Sequence, residues 1–281
     1  MEIKMKNVDY VYKKINYQEK LVLKNINIKF DCGKINAIIG APGSGKSTLL
    51  NLLNQELIPT KGKIIVDQYT MTNKNDLKNI ERSIIGFVLE NPSDQFFNST
   101  VREELIVTMQ MNNYILNQMN KRILDVLKMV HLEEDTLIRN PNSLSESEKR
   151  KLAIAQALIC NPKILVLDEP VNSFDEKTKE EYLKLFRLLT KRYNKTIIIA
   201  SNDLNFVHKI ADKVFVLNQN EIVLQGDKYE VFKDTRLLKK YGLIPPYTML
   251  FSNLVKEKKN IKIGYRDEIN DLIKDIYRYV K

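Results

Sequence analysis

The run Gly40-Ala41-Pro42-Gly43-Ser44-Gly45-Lys46-Ser47-Thr48 constrains this chain more than any other stretch. It comes after the apolar run Ile35 to Ile39, which reads as a buried strand, and leads into Leu49-Leu50-Asn51-Leu52-Leu53, which reads as a helix. A glycine-rich loop ending in Gly-Lys-Ser between a strand and a helix is the context that cradles phosphate. Gly43 and Gly45 let the backbone approach an anion with no side chain in the way. The loop N–H groups and the start of the helix then present partial positive charge. Lys46 is expected to reach the β- and γ-phosphates, and the Ser47 hydroxyl to take one position on Mg2+. The pattern implies an α/β core that binds a nucleoside triphosphate.

A chain of 281 residues is long enough for one large domain, or for a core with a small appendage. Its apolar runs are strand-length, so no membrane span is expected, and Met1-Glu2-Ile3-Lys4 leads into no apolar segment of a signal peptide. Cys32 and Cys160 form no CxxC pair and no disulfide framework, which suits a reducing cytosol. A net charge of +10 raises the question of nucleic acid or an anionic membrane surface. The lysines, however, are dispersed and often adjoin Asn, with no dense basic block interleaved with aromatics. Compositional bias accounts for the charge, and no nucleic-acid partner is expected.

Along the chain, Ile3 to Tyr12 alternates loosely through Ile3, Met5, Val8, Tyr10 and Tyr12, and Leu21 to Phe30 alternates more clearly. With Lys63-Ile64-Ile65-Val66 they predict a small antiparallel sheet around the first βα unit. Tyr12 is either a ring for stacking on a base or a sheet aromatic. After the apolar run Ser83 to Leu89 comes Glu90-Asn91-Pro92-Ser93-Asp94-Gln95-Phe96-Phe97, where Pro92 is expected to stop any regular element and the adjacent aromatics Phe96 and Phe97, costly to expose without use, are expected to face a partner. Helical spacing from Val101 to Val130, interrupted near Asn112-Asn113, predicts a helical insert between two parts of the core.

Ser145, three residues before Glu148, forms a capping box opening the next helix. Ile164-Leu165-Val166-Leu167 then reads as a buried strand delivering Asp168 and Glu169 at its carboxyl end, where doubly wound sheets bind ligands. Beside a phosphate loop, Asp168 is expected to hold Mg2+ and Glu169 to orient or deprotonate the attacking water. A helix from Glu176, strands at 196–200 and 213–217, and a hairpin partner from Glu221 close the core near Gly226. Short helical pieces come next, ending in an amphipathic stretch from Glu268 to Val280 with Ile269, Leu272, Ile273 and Ile276 on one face.

With the loop, insert, serine-led helix and acidic strand end in this order, residues 1–226 resemble an ABC-type ATPase. Within that family the chain is similar to the ATPase subunits of energy-coupling factor importers. Asn91-Pro92-Ser93-Asp94-Gln95-Phe96 carries that narrower likeness, together with the tail from Val231-Phe232 to Gly242-Leu243-Ile244-Pro245. The resemblance implies a P-loop NTPase with a mixed-sheet core, an antiparallel β subdomain, a helical insert at about 95–160 and a C-terminal appendage at 227–281. It implies ATP and Mg2+ as cofactors, Tyr12 as the adenine-stacking ring, and Gly40 to Thr48 as the phosphate loop. Asn172-Ser173-Phe174-Asp175 falls where such chains touch the opposite site. These ATPases work as head-to-tail dimers, each ATP held between one chain's phosphate loop and the other's signature motif. The implied partners are a second ATPase, a transmembrane scaffold and a substrate-binding membrane subunit, at the cytoplasmic face of the membrane.

Three positions depart from the family pattern. Glu90 replaces the Q-loop glutamine and still offers oxygen to Mg2+. The signature reads Leu144-Ser145-Glu146-Ser147-Glu148, with carboxylates where a triphosphate is expected and without the close approach glycine permits. Asn202 stands in place of the switch histidine; it donates a hydrogen bond but carries no titrating proton. Two competing classes remain: a degenerate ATP-holding structural subunit, and a soluble ATPase acting on ribosomes or nucleic acid.

Overall fold

The computed structural model describes residues 3–13, 19–73, 76, 82–113, 118–259 and 263–279. Its strands are β1 (Ile3–Lys13), β2 (Glu19–Phe30), β3 (Ile35–Ile39), β4 (Lys61–Val66), β5 (Tyr69–Met71), β6 (Ile85–Val88), β7 (Ile164–Asp168), β8 (Thr196–Ala200), β9 (Lys213–Asn218) and β10 (Glu221–Asp227). The α-helices are α1 (Lys46–Leu53), α2 (Val101–Met111), α3 (Met119–Met129), α4 (Glu146–Ile159), α5 (Glu176–Lys191), α6 (Leu204–Ile210), α7 (Lys228–Phe232), α8 (Thr235–Lys240), α9 (Tyr247–Lys259) and α10 (Ile269–Tyr279).

The strands form two sheets. One is antiparallel, in the order β2-β1-β4-β5; the other runs β10-β9-β3-β8-β7-β6 and is parallel except for the β9–β10 hairpin. In β3, β7 and β8 every residue is buried, as strands covered on both faces require. In β1 the alternation of Ile3 and Met5 slips before Val8, where the register shifts and Asn7 takes a φ of 51°. That bulge keeps Val8 on the inner face.

The core lies in two layers. Between the sheets, Leu49, Leu50, Leu52 and Leu53 of α1 pack with Met5, Leu23 and Phe30 on one side and Ile38, Val166 and Phe215 on the other. On the opposite face of the six-stranded sheet, Ile35, Ala37 and Ile39 meet α4, α5 and the appendage through Ile154, Phe186 and Phe232. Because β3, β6, β7 and β8 are parallel, their carboxyl ends share one edge, and the loops bearing residues 40–48, 89–90, 169 and 201–202 emerge there together.

Several expectations need correction. Pro92 does not simply end structure: it opens a 3-10 turn at Pro92–Gln95, where its fixed φ suits a first position. Of the adjacent aromatics only Phe97 is exposed, at 87%, while Phe96 is buried at 7%. In α10 only Leu272 of the expected apolar face is fully buried; Ile269 and Ile273 are exposed, and buried Asp275 pairs instead with Arg266 at 2.8 Å. Val280 lies outside the described residues. The short elements β5 and α6 add to those the sequence pattern predicts. No helix among the described residues is long and apolar enough to cross a membrane.

Candidate nucleotide site

The loop after β3 bends at glycines whose geometry excludes side chains. Gly45 caps α1 at a φ of 107°, and a Cβ there would meet the Val22 carbonyl oxygen at 3.0 Å. Gly43, at φ 76°, has open space where its Cβ would stand, which is the approach an anion needs. The hydroxyl of Ser44 is buried without a hydrogen-bond partner, an orphaned donor inside the loop. These features fit a bound phosphate.

A cavity of about 320 Å³ gathers most of the residues singled out from sequence: Tyr12, Pro42, Gly43, Gly45, Lys46, Ser47, Thr48, Glu90, Asp168, Glu169 and Asn202. Gly40, Ala41 and Ser44 shape the loop without lining the cavity, and Ser145 lies outside it. The Tyr12 hydroxyl is 3.3 Å from Thr48 Oγ1, so strand β1 is tied to the first turn of α1.

Lys46 Nζ donates to Gly40 O at 2.8 Å, to Ala41 O at 3.4 Å and to Asn202 Oδ1 at 2.9 Å. A lysine only donates, so the contact fixes the oxygen of the Asn202 amide toward it and turns the NH2 group away. Glu169 accepts from Ser201 Oγ at 3.0 Å and from the Asn202 N–H at 2.8 Å. Asn202 therefore bridges the phosphate-loop lysine and the acid at the end of β7. Glu169 holds a φ of 46°, a left-handed conformation uncommon outside glycine, with its N–H donated to Ala200 O at 2.9 Å.

Burial dominates the electrostatics. It pulls the Lys46 pKa below that of an ordinary lysine, against the carboxylates of Glu169, Asp168 and Glu90. It pushes Asp168 up, opposed by a hydrogen bond from Ser47, and pushes Glu169 up, opposed by hydrogen bonds from Ser201 and Asn202. Ser47, Asp168 and Glu90 form an all-oxygen donor set, which fits a hard divalent cation.

The signature segment is built differently. Ser145 caps α4, accepting from the Glu148 N–H at 3.3 Å, while its own hydroxyl and N–H both donate to Glu148 Oε2 at 2.8 Å. Arg139 holds the other Glu148 oxygen at 3.0 Å, and Glu146 pairs with Lys149 at 2.9 Å. The Ser145 hydrogen bonds come first in holding the Glu148 carboxyl below its ordinary pKa. The two acids are thus partly neutralised within the chain. Asp175, in the segment after β7, caps α5 through the Thr178 N–H at 2.7 Å.

Sequence reasoning passed over Ser201, Lys20, Val22 and Arg150. Lys20 pairs with Tyr12 across β1 and β2, so it and Val22 were recoverable from the alternation of β2. Arg150 shares a helical face with Ala153, Ile154, Ala157 and Leu158, a periodicity that marks it as inward-facing.

A phosphate loop between β3 and α1, an acidic pair at the end of β7, one strand removed from β3 across β8, and a helical insert between β6 and β7 define a nucleotide-binding P-loop fold of ABC-ATPase type. Residues 23–172 match the ABC transporter family. The chain is 37% identical over 270 residues to the energy-coupling factor transporter ATP-binding protein EcfA2 of Clostridium perfringens, covering 96% of this chain and 94% of that protein. It is 34% identical to EcfA2 of Clostridium acetobutylicum, covering 99% and 94%. Among solved structures it resembles cbiO1 from Clostridium perfringens, part of the ABC transporter complex cbiONQ, with a TM-score of 0.70, 30% identity and coverage of 92% and 98%. It also resembles the dimeric post-hydrolysis state of the ATP-binding cassette MJ0796 bound to ADP and Pi, with a TM-score of 0.74, 30% identity and coverage of 80% and 98%. The chain belongs to the ABC transporter family, among its energy-coupling factor ATP-binding proteins.

Proposed function

We propose that this chain is one of two unlike ATPase subunits of an energy-coupling factor importer for vitamins or metal ions, peripheral to the cytoplasmic face of the membrane. Residues 1–226 form the ATPase domain and 227–281 an appendage. ATP sits on the loop from Gly40 to Thr48, with Tyr12 against the adenine. Mg2+, bound through Ser47, Asp168 and Glu90, supplies charge neutralisation at the phosphates. Lys46 holds the β- and γ-phosphates, Glu169 orients or deprotonates the attacking water, and the Asn202 amide donates to the γ-phosphate in place of a histidine.

The observation that carries the reading is the separation of the departures. Asn202 and Glu90 line the cavity beside Lys46 and Glu169, whereas the Ser145 hydroxyl is committed to Glu148 at 2.8 Å, outside it. In a head-to-tail pair the first set acts on this chain's own nucleotide and the second on the partner's. A homodimer would carry both defects in both sites, so the partner is a different ATPase with an intact signature. A membrane scaffold docks in the groove of about 360 Å³ lined by Glu56, Phe87, Asp94, Gln95 and Phe97, and a separate membrane subunit takes the substrate.

ATP turnover of the reconstituted complex, with each departure repaired separately, tests this. Glu146→Gly, Ser147→Gly and Glu148→Gln together are expected to raise turnover at the partner's site, and Asn202→His at this chain's own. Brisk turnover by the isolated chain, or no response to either repair, would overturn the asymmetric pairing.

A further inference from the structure

The loop from Leu89 to Asn98 joins Glu90, which lines the nucleotide cavity, to the exposed Phe97, and both of its ends are held by buried charged side chains from the helical insert. Arg150, in α4 and 4% exposed, donates from Nη1 to Leu89 O at 2.9 Å and from Nη2 to Glu90 O at 2.6 Å. Glu104, in α2 and 2% exposed, accepts on Oε2 from the N–H groups of Phe97 at 3.0 Å and Asn98 at 2.8 Å, and from the Asn98 amide at 2.9 Å.

Two amides join the ends. Gln95 Oε1 accepts from the Leu89 N–H at 2.6 Å, and Gln95 Nε2 lies 3.4 Å from Gln156 Oε1. Gln156 Nε2 donates to Glu104 Oε1 at 3.2 Å and to Thr108 Oγ1 at 3.0 Å. The chain of contacts thus runs from Glu90 through Arg150 and the two glutamines to Glu104 and Phe97.

Among the described residues, neither buried charge is answered by an opposite charge at hydrogen-bond distance. Each is compensated by the main-chain dipoles and amides of this one loop and of α4. Detaching the loop would take both carbonyl acceptors from the buried Arg150 guanidinium and all three donors from Glu104 Oε2, which is unfavourable. The loop therefore stays with α4, and α4 begins at Ser145. Arg150 Nε is buried with no hydrogen-bond partner among the described residues, so the two Nη contacts to the loop carry the guanidinium's hydrogen bonding and losing either is costly.

We propose that Arg150 and Glu104 are positioning residues that make the 89–98 loop and α4 a single rigid unit. Displacement at Phe97 is then delivered together to Glu90 in this chain's own nucleotide site and to Ser145 on the face presented to the partner's site. This links membrane docking to both ATP sites, and in that respect it rests on the docking role of Phe97 proposed above. The rigidity itself does not depend on docking, which allows the two to be tested apart.

The test is hydrogen exchange by mass spectrometry on the isolated full chain, tracking peptides that span 86–91 and 96–99. Arg150→Met, which keeps the bulk and removes the donors, is expected to speed exchange at least tenfold at the distant Phe97 and Asn98 N–H groups. Glu104→Gln is expected to do the same at the distant Leu89 N–H. Arg150→Lys, still able to reach one carbonyl, should restore part of the protection. If Glu104→Gln does not fold, Gln156→Leu removes only the bridge and is read in the same way. Loosening confined to the mutated end, with the far end unchanged, overturns the proposal. In the assembled transporter, Glu104→Gln is expected to leave the KM for Mg-ATP within twofold while stimulation by the membrane scaffold falls about tenfold. If Phe97→Ser fails to release the chain from membranes, the docking reading falls, while the exchange result on the isolated chain still decides the rigidity.

Discussion

Lys46 is the residue on which nucleotide affinity is expected to turn. Its ammonium is held by two loop carbonyls and Asn202, groups that phosphate oxygens would replace with charge-assisted contacts. Each hydrogen bond to a charged group is worth about 1.5–3 kcal/mol, so Lys46→Ala is expected to weaken Mg-ATP binding at least tenfold, measured by calorimetry. Unchanged affinity would remove this loop from the site. Glu148 illustrates how context alters a residue's meaning. From sequence it is a charge facing a triphosphate; in the fold it is turned back on Ser145 and Arg139. In the proposed pairing, the partner's nucleotide would meet a signature serine whose hydroxyl already has an anionic acceptor.

At the scale of elements, the decisive segment is the turn at Pro92–Gln95 with the two aromatics directly after it. Phe96 faces the insert core and Phe97 faces solvent, so a docking test must leave Phe96 intact. Losing a buried phenyl ring costs about 3–5 kcal/mol and would confuse unfolding with undocking. Phe97→Ser is expected to change stability by less than about 0.5 kcal/mol, as a surface substitution does, and to release the chain from membranes with Mg-ATP binding retained. Flotation with vesicles carrying the assembled complex measures this. Persistent membrane association by the folded variant would end the docking role. The strands were the most legible elements, because buried parallel strands appear as unbroken apolar runs and antiparallel ones as alternation. The tail was less legible: α10 has an apolar face on paper, but Ile269 and Ile273, half of that face, are left exposed.

For the molecule as a whole, the appendage is joined to the core at His208. This residue is 1% exposed, with Nδ1 3.4 Å from Thr248 Oγ1 and 3.9 Å from Asp267, and with the rings of Tyr229 and Phe232 at 5.7 and 5.5 Å. Burial lowers its pKa to about 4, the Asp267 carboxylate opposing and Lys228 assisting. The unfolded chain takes up its proton near pH 6.5 and the folded chain only near 4. Stability from this site is therefore complete above pH 6.5 and is lost as pH falls toward 4, amounting to about 2 kcal/mol at pH 5. His208→Gln is expected to shrink the fall in unfolding free energy between pH 7.5 and pH 5 by about that amount, read from denaturant curves. An identical fall in both proteins would place the acid sensitivity elsewhere.

The amino-acid sequence determined what depends on neighbours along the chain. The phosphate loop, the acidic end of β7, the capping box at Ser145 and the buried strands are all local patterns, set by glycine's conformational freedom, strand periodicity and helix-end hydrogen bonding. The tertiary structure decided what depends on residues far apart in sequence. Asn202 reaching Lys46, Arg150 holding the carbonyls of Leu89 and Glu90, and Glu104 holding the N–H groups of Phe97 and Asn98 each require parallel strand ends and packed helices to converge. A buried charge must find its compensating dipoles in three dimensions, and no periodicity in the sequence records which dipoles those are.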